Sequence, residues 1–295
     1  MESFFAIMEK NAEEWLMYRQ KLCIGLLPFH MSLEEQLHLL RSTGFEGFFT
    51  GSGREECRSC RRYADEMDLE YQSIHAPFGS AARMWRGGEG ELGATKELLD
   101  CVDTAAEVAV PIVVVHPYIG FEDTSDVTRS GLEAFRRVVE HAAEKNVQIA
   151  FENVEGEDYL AALMKEFREM PNVGFCWDTG HEQCYNRGKD MMALYGDRLI
   201  ATHLNDNLGV SRNDGEIFWT DDLHLLPYDG ITDWQSVADR INRSGFAGPL
   251  TFELGIGSKP KRHDNDKYGK LSAEEYLAEA YARACRLATM VLRGK

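Results

Sequence analysis

Short runs of β-branched and aromatic residues alternate with longer amphipathic stretches from end to end of the chain. The runs "KLCIGLL" (21–27), "FEGFFT" (45–50), "YQSIHA" (71–76), "PIVVVHP" (111–117), "VQIAFEN" (147–153), "VGFCWD" (173–178), "LIATHL" (199–204) and "LTFEL" (250–254) read as eight strands. They are nearly continuous apolar runs rather than alternations, the pattern of a parallel sheet covered by helices. Helical periodicity fills the gaps, in "SLEEQLHLLRSTG", "REECRSCRRYADEM", "ELGATKELLDCVDTAAEVA", "DVTRSGLEAFRRVVEHAAEKN", "EDYLAALMKEFREM", a shorter "KDMMALYG", "TDWQSVADRINRSG" and "SAEEYLAEAYARACRLATMVL". Ser32 stands at an N-cap position, and Gly44 and Gly245 follow last turns, where a left-handed residue is expected.

Eight βα units in series predict the α/β class and a (β/α)8 TIM barrel, as a single domain over 1–295. The rival is a doubly wound open sheet, which usually brings a G-x-G-x-x-G turn after the first strand. "LLPFHMS" stands there instead. Residues 1–20 read as an extra N-terminal helix, packed outside the barrel or at a subunit contact.

Composition adds limits. With 295 residues and 44% apolar content the chain can bury a large core. No run of eighteen apolar residues appears, so no membrane span is expected. The start, "MESFFAIMEKNAEEWLMYRQ", lacks the parts of a signal peptide, and seven scattered cysteines suit a reducing compartment, so a cytoplasmic location is expected. "CRSC" (57–60) has no second Cys or His pair nearby and reads as two helix-face cysteines. A net charge of −17 disfavours nucleic acid as a partner.

The polar residues fall in register. Strand three ends at His75, four at His116, five at Glu152, six at Asp178, seven at His203 and eight at Glu253. In a barrel these ends form the mouth where chemistry is done. A lone strand-end histidine is usually structural. Carboxylates converging without compensation would repel one another and lose hydration, a conflict that a divalent cation resolves. Glu152, Asp178, His203 and Glu253 make the best ligand set, oxygen-rich and suited to one ion of manganese, zinc, cobalt or magnesium (Mn²⁺, Zn²⁺, Co²⁺ or Mg²⁺). His181 stands one helical turn beyond Asp178, facing the bound ligand.

"IHAPF", "VVVHP", "FENVEG", "WDTGH", "HLNDN", "DDLHLLPYDGITDW" and "TFELG", in that order, resemble the xylose isomerase-like TIM-barrel superfamily. That group holds sugar phosphate isomerases/epimerases, D-tagatose 3-epimerases, inosose dehydratases and endonuclease IV-type enzymes. The resemblance spans roughly residues 21–290. It implies a metal-dependent isomerase or epimerase that takes a small sugar or sugar phosphate, commonly as a homodimer or homotetramer. Glu152 and Glu253 would bind the metal and exchange protons with substrate, while Asp178 and His203 would complete the metal site. His181 would contact substrate oxygen, with His75, His116, Asp222 and His224 around it. Moving a proton between adjacent carbons of a ketose needs a polarised carbonyl and a carboxylate on each face of the carbon.

One departure stands out. Epimerases of the group place an Arg six residues after the strand-seven histidine. Here that position is Gly209, and the nearest substitute is Arg212, within the long loop "NDNLGVSRNDGEIFWTDDLH". Phe218 and Trp219 of that loop read either as a lid or as surface insertion. The alternative function is a multi-zinc phosphodiester hydrolase of the endonuclease IV type. Its nine ligands are matched by His75, His116, Glu152, Asp178, His181, His203, Asp222, His224 and Glu253. An inosose dehydratase-like lyase is a further alternative. "GIGSKPKRHD" (255–264) reads as a solvated loop or a phosphate loop. Trp85 or Phe78 could stack on a sugar, and Asp206 either supports a ligand histidine or caps its loop.

Overall fold

The computed structural model describes residues 20–121 and 126–291, so the helix expected over 1–20 lies almost wholly outside the described residues. Its eight strands are β1 (Leu22–Gly25), β2 (Gly47–Thr50), β3 (Glu70–His75), β4 (Ile112–Val115), β5 (Gln148–Glu152), β6 (Val173–Asp178), β7 (Leu199–His203) and β8 (Leu250–Phe252). Each falls within a residue of its expected run. Sheet order is β7-β6-β5-β4-β3-β2-β1-β8, and every ladder is parallel. At the remaining seam β7 and β8 meet through a single parallel bridge, Leu204 with Phe252. There the Thr202 hydroxyl accepts from Thr251 N at 3.0 Å, a side chain standing where a ladder carbonyl would be. The result is a nearly closed (β/α)8 barrel.

The helices are α1 (Leu33–Thr43), α2 (Arg54–Met67), α3 (Gly88–Glu107), α4 (Arg129–Glu144), α5 (Glu157–Glu166), α6 (Thr179–Cys184), α7 (Met191–Tyr195), α8 (Trp234–Ser244) and α9 (Ala273–Ala288). At the start of α1, Ser32 Oγ accepts from Glu35 N at 3.2 Å and Ser32 N donates to the Glu35 carboxylate at 2.9 Å, a reciprocal cap. The helix ends at Gly44 with φ 117°, where a Cβ would lie 2.5 Å from the Tyr281 ring. Cys57, Cys60 and Ala64 form the buried face of α2, so "CRSC" is helix packing, and all seven cysteines are free. Among the described residues, no helix is long and apolar enough to cross a membrane.

The period-2 alternation of the strands positions the site. Outward residues such as Val113, Val115, Phe151, Phe175 and Trp177 belong to the large core. Ile112, Val114, Ala150, Cys176 and Ala201 form a separate buried cluster. Two residues beyond Val114, Ala150, Cys176 and Ala201, on the same face, come His116, Glu152, Asp178 and His203. The barrel therefore has an apolar plug with a polar layer above it.

Two expectations resolve here. Trp85 is fully buried, donates its indole N–H to Pro117 O at 2.8 Å and packs where a Cβ on Gly131 would sit, so it is core and cannot stack on a ligand. Asp206 does not support a histidine. It accepts from Tyr228 N at 2.9 Å, Thr232 N at 3.0 Å and the Trp234 indole at 3.0 Å, tying down the loop that enters α8.

Candidate metal centre and active site

Glu152, Asp178, His203 and Glu253 converge, each offering one donor atom, with all four atoms within 4.8 Å of one another. Asp178 and His203 are register partners on adjacent strands, and Glu253 directly follows β8. His203 Nδ1 lies 3.2 Å from Glu152 Oε2 and 2.9 Å from Glu253 Oε2. Donors held about 2.1 Å from one ion lie at most about 4.2 Å apart, so small side-chain rotations would close the set.

Hydrogen bonding tests the fit. Both oxygens of Glu152, both ring nitrogens of His203 and Glu253 Oε2 are buried without a well-aligned hydrogen bond, although His203 Nδ1 stands close to both carboxylates. So many orphaned atoms in one place mark a missing partner. Asp178 is the exception. It is the N-cap of α6, its Oδ1 accepting from His181 N at 2.6 Å, and its Oδ2 accepts from Asn205 Nδ2 at 2.8 Å. Its remaining lone pairs are what it offers a cation.

The charges agree with this. Burial pushes Glu152 upward, but the imidazoles of His203 and His116 outweigh it and hold the carboxyl well below its ordinary range. Burial likewise raises Glu253, yet His203 and His224 hold it down to about 2. His203 is driven down by burial and, more strongly, up by Glu253 and Glu152, ending well above an ordinary histidine. Burial takes Asp178 up to about 7 against the pull of His181, with the charges of Glu152 and Glu253 adding to the rise. The cluster thus demands positive charge. A proton on His203 supplies one unit, and a divalent ion would supply two while releasing that proton.

Of the other donor sets among the described residues, two flank the first. His75, His116 and Glu152 form one, with the two Nε2 atoms 3.1 Å apart and 3.5 and 3.3 Å from Glu152 Oε2. His181, Asp222 and His224 form the other. There His224 Nε2 lies 2.7 Å from Asp222 Oδ2, and His181 Nε2 lies 3.5 Å from Asp222 Oδ1. His224 has φ 49°, unusual for a residue with a side chain and typical of functional sites. Asp222 holds it up to about 9 against burial.

Arg212 is not part of this assembly. Its guanidinium pairs with Asp214 at 2.7 Å and Glu216 at 3.3 Å in an exposed turn. Short-range pairing within the turn satisfies it where it stands. Aromatic rings back the imidazoles instead. Phe49 stacks on His203 at 4.7 Å, half-exposed Phe78 on His116 at 4.9 Å, and Tyr185 on His181 at 4.9 Å. A file of rings then runs outward through Phe121 and Phe218 to Trp219.

Two asparagines unremarked in the sequence hold the donor groups in place. Asn153 accepts from Asp178 N and donates to Asp178 O, both at 2.8 Å, and Asn205 steadies the Asp178 carboxylate. Lys259, from the loop after β8, reaches Asp222 Oδ2 at 3.3 Å. Only position inside "FENVEG" and "HLNDN" hinted at the two asparagines.

A model of the family described as xylose isomerase-like TIM barrel matches residues 37–279. The uncharacterized protein y4fM of Sinorhizobium fredii (strain NBRC 101917 / NGR234) is 30% identical, over 89% of this chain and 91% of its own. Among solved structures, D-psicose 3-epimerase of Clostridium cellulolyticum H10, determined with D-tagatose, superposes with a TM-score of 0.71 at 12% identity, covering 92% of this chain and 99% of its own. The IOLI protein with a binding zinc atom gives 0.71 at 16% identity, covering 91% and 98%. The 3-keto-D-glucoside 4-epimerase YcjR of E. coli gives 0.68 at 15% identity, covering 90% and 100%. At these identities the structural likeness is one of fold.

Proposed function

The chain belongs to the xylose isomerase-like TIM-barrel family, and from that membership and the donor cluster we propose that it is a metal-dependent sugar isomerase or epimerase. The observation that carries this reading is the convergence of Glu152, Asp178, His203 and Glu253 with most of their inner atoms lacking a well-aligned hydrogen bond. These four residues would hold one divalent ion, Mn²⁺, Zn²⁺, Co²⁺ or Mg²⁺. When bound, the ion supplies Lewis-acid polarisation of a substrate carbonyl. Sugar epimerases among the structural neighbours, and a zinc atom in one of them, support the choice of chemistry.

The protein's own groups then move the proton. One of Glu152 and Glu253 takes it from the carbon beside the carbonyl, the C–H electron pair passing toward the carbonyl oxygen. The other, carrying a proton taken up from solvent, returns it to the opposite face or to the neighbouring carbon, and the base gives up its own proton to solvent. Both carboxyls are held below their ordinary range, so either can serve as the base and the other gives up a proton readily. His75, His116, His181, Asp222 and His224 surround the reacting carbons and bind substrate oxygens, while Phe78 and Tyr185 keep water from the imidazoles they stack on.

A second reading is favoured by one specific observation, the presence of all three donor sets around one mouth. With an ion in each, the protein would be a phosphodiester hydrolase of the endonuclease IV type. The net charge of −17 counts against gripping a DNA backbone. Metal content together with solvent-deuterium exchange tests the two. One ion per chain and deuterium entering a ketose at carbon supports the isomerase. Near three zinc ions with cleavage of abasic-site DNA, and no exchange, replaces it with the hydrolase.

A further inference from the structure

Asp222 is 8% exposed, and its Oδ1 is buried without a well-aligned hydrogen bond, His181 Nε2 standing off at 3.5 Å and leaving a lone pair free. A buried carboxylate oxygen left in that state is incompletely satisfied, so a donor that arrives with a ligand is favoured there. The other oxygen, Oδ2, already takes His224 Nε2 at 2.7 Å and Lys259 Nζ at 3.3 Å. An ammonium and an open acceptor thus stand side by side at the edge of the mouth.

Lys259 is held there by a fastened loop. Asn265, 1% exposed, donates Nδ2 to Leu223 O and Gly255 O, both at 3.0 Å, and its N–H goes to Ser258 Oγ at 3.1 Å. Of the loop's other cations, Arg262 is consumed by Asp221 at 3.2 Å and Asp264 at 2.8 Å, and Lys261 is exposed. No ion pair joins any other lysine or arginine to the three donor sets among the described residues. A phosphate dianion placed here would meet an ammonium already neutralised by Asp222, with Glu253 close by. Two adjacent hydroxyls fit better. One would donate to Asp222 Oδ1, and the other would accept from Lys259 Nζ.

We propose that Lys259 and Asp222 together grip a vicinal diol of the substrate, and that this substrate is a neutral, unphosphorylated sugar. The inference rests on the isomerase reading and sharpens it by naming a specificity residue and a substrate class.

The test uses the full chain loaded with Mn²⁺, with D-tagatose and D-tagatose 6-phosphate as probes for deuterium exchange and calorimetric binding. Wild type takes D-tagatose with a KM about tenfold below that of the phosphate. Lys259→Met raises the D-tagatose KM about tenfold while kcat falls by less than about threefold, and Lys259→Arg recovers most of the loss. A preference for the phosphate, or a KM unmoved by Lys259→Met, overturns the proposal while leaving the isomerase intact. Binding of D-tagatose that depends on Lys259, without exchange, keeps the diol grip and removes the isomerase. If neither sugar binds, or if zinc fills the His181–Asp222–His224 set, the grip itself is wrong.

Discussion

Asn205 Nδ2 donates to Asp178 Oδ2 at 2.8 Å, and the approach is possible only because residue 180 has no side chain. A Cβ on Gly180 would lie 1.9 Å from Asn205 Oδ1. Gly180→Ala is therefore expected to push Asn205 aside and release Asp178, costing about 1–3 kcal/mol in stability and weakening metal affinity tenfold or more. Urea unfolding and metal titration of the variant check both effects. Unaltered metal affinity would show that Asn205 does not steady the ligand.

Replacing either proposed proton carrier should silence the reaction without unfolding the barrel. Glu152→Gln and Glu253→Gln preserve shape and remove the base, so solvent-deuterium exchange is expected to fall about 10²–10⁴-fold. Circular dichroism should stay that of the parent. Exchange undiminished in either variant would remove that residue from the acid–base pair.

Metal should stabilise the chain by binding the folded state alone. At about a hundredfold excess over Kd the gain is about 2.7 kcal/mol, or roughly 4 °C in Tm for a chain of this size. Chelator should reverse the shift, and His203→Ala should abolish it. A Tm indifferent to Mn²⁺, Co²⁺, Zn²⁺ and Mg²⁺ alike would sink the proposed centre.

Glu155 supplies a pH-dependent prediction. It lies in the loop after β5, 5% exposed, accepting from Gly120 N, and burial pushes its carboxyl up to about 7. A group raised above its unfolded value of 4.5 gives its full contribution below that pH and loses it as pH rises through about 7. Glu155→Gln keeps the acceptor and removes the ionisation. The variant should therefore gain on wild type between pH 5 and pH 8, by about 1–2 kcal/mol after allowing for solvent screening at the mouth. Unfolding free energies at the two pH values measure it, and a gain in the opposite direction refutes the assignment.

The barrel was legible because each strand is a nearly unbroken apolar run, and strands three to eight each stop at one polar residue. Once those stops fall at the same height, alternation alone sends His116, Glu152, Asp178 and His203 inward. The supporting groups were not legible in this way. Asn153 and Asn205 act by bridging to Asp178 from neighbouring strands, a relation with no periodic signature. Lys259 reaches Asp222 only through the path of its loop. Arg212 misled for a related reason, since nearness along the chain to the position of the family's arginine cannot reveal that Asp214, two residues away, takes it first. Trp85 and Phe78 looked equivalent as free aromatics until packing against Gly131 drew one of them inside.

The joint between β7 and β8 carries one bridge where the other strand pairs carry ladders, so it is the place where the cylinder most easily parts. His203 stands on one lip of that joint and Glu253 on the other, their side chains 2.9 Å apart. An ion shared between them would act as a rivet across the gap, making closure of the wall and readiness for chemistry a single event. Amide protons of Leu204 and Glu253, which span the gap, would then report occupancy by exchanging more slowly with solvent.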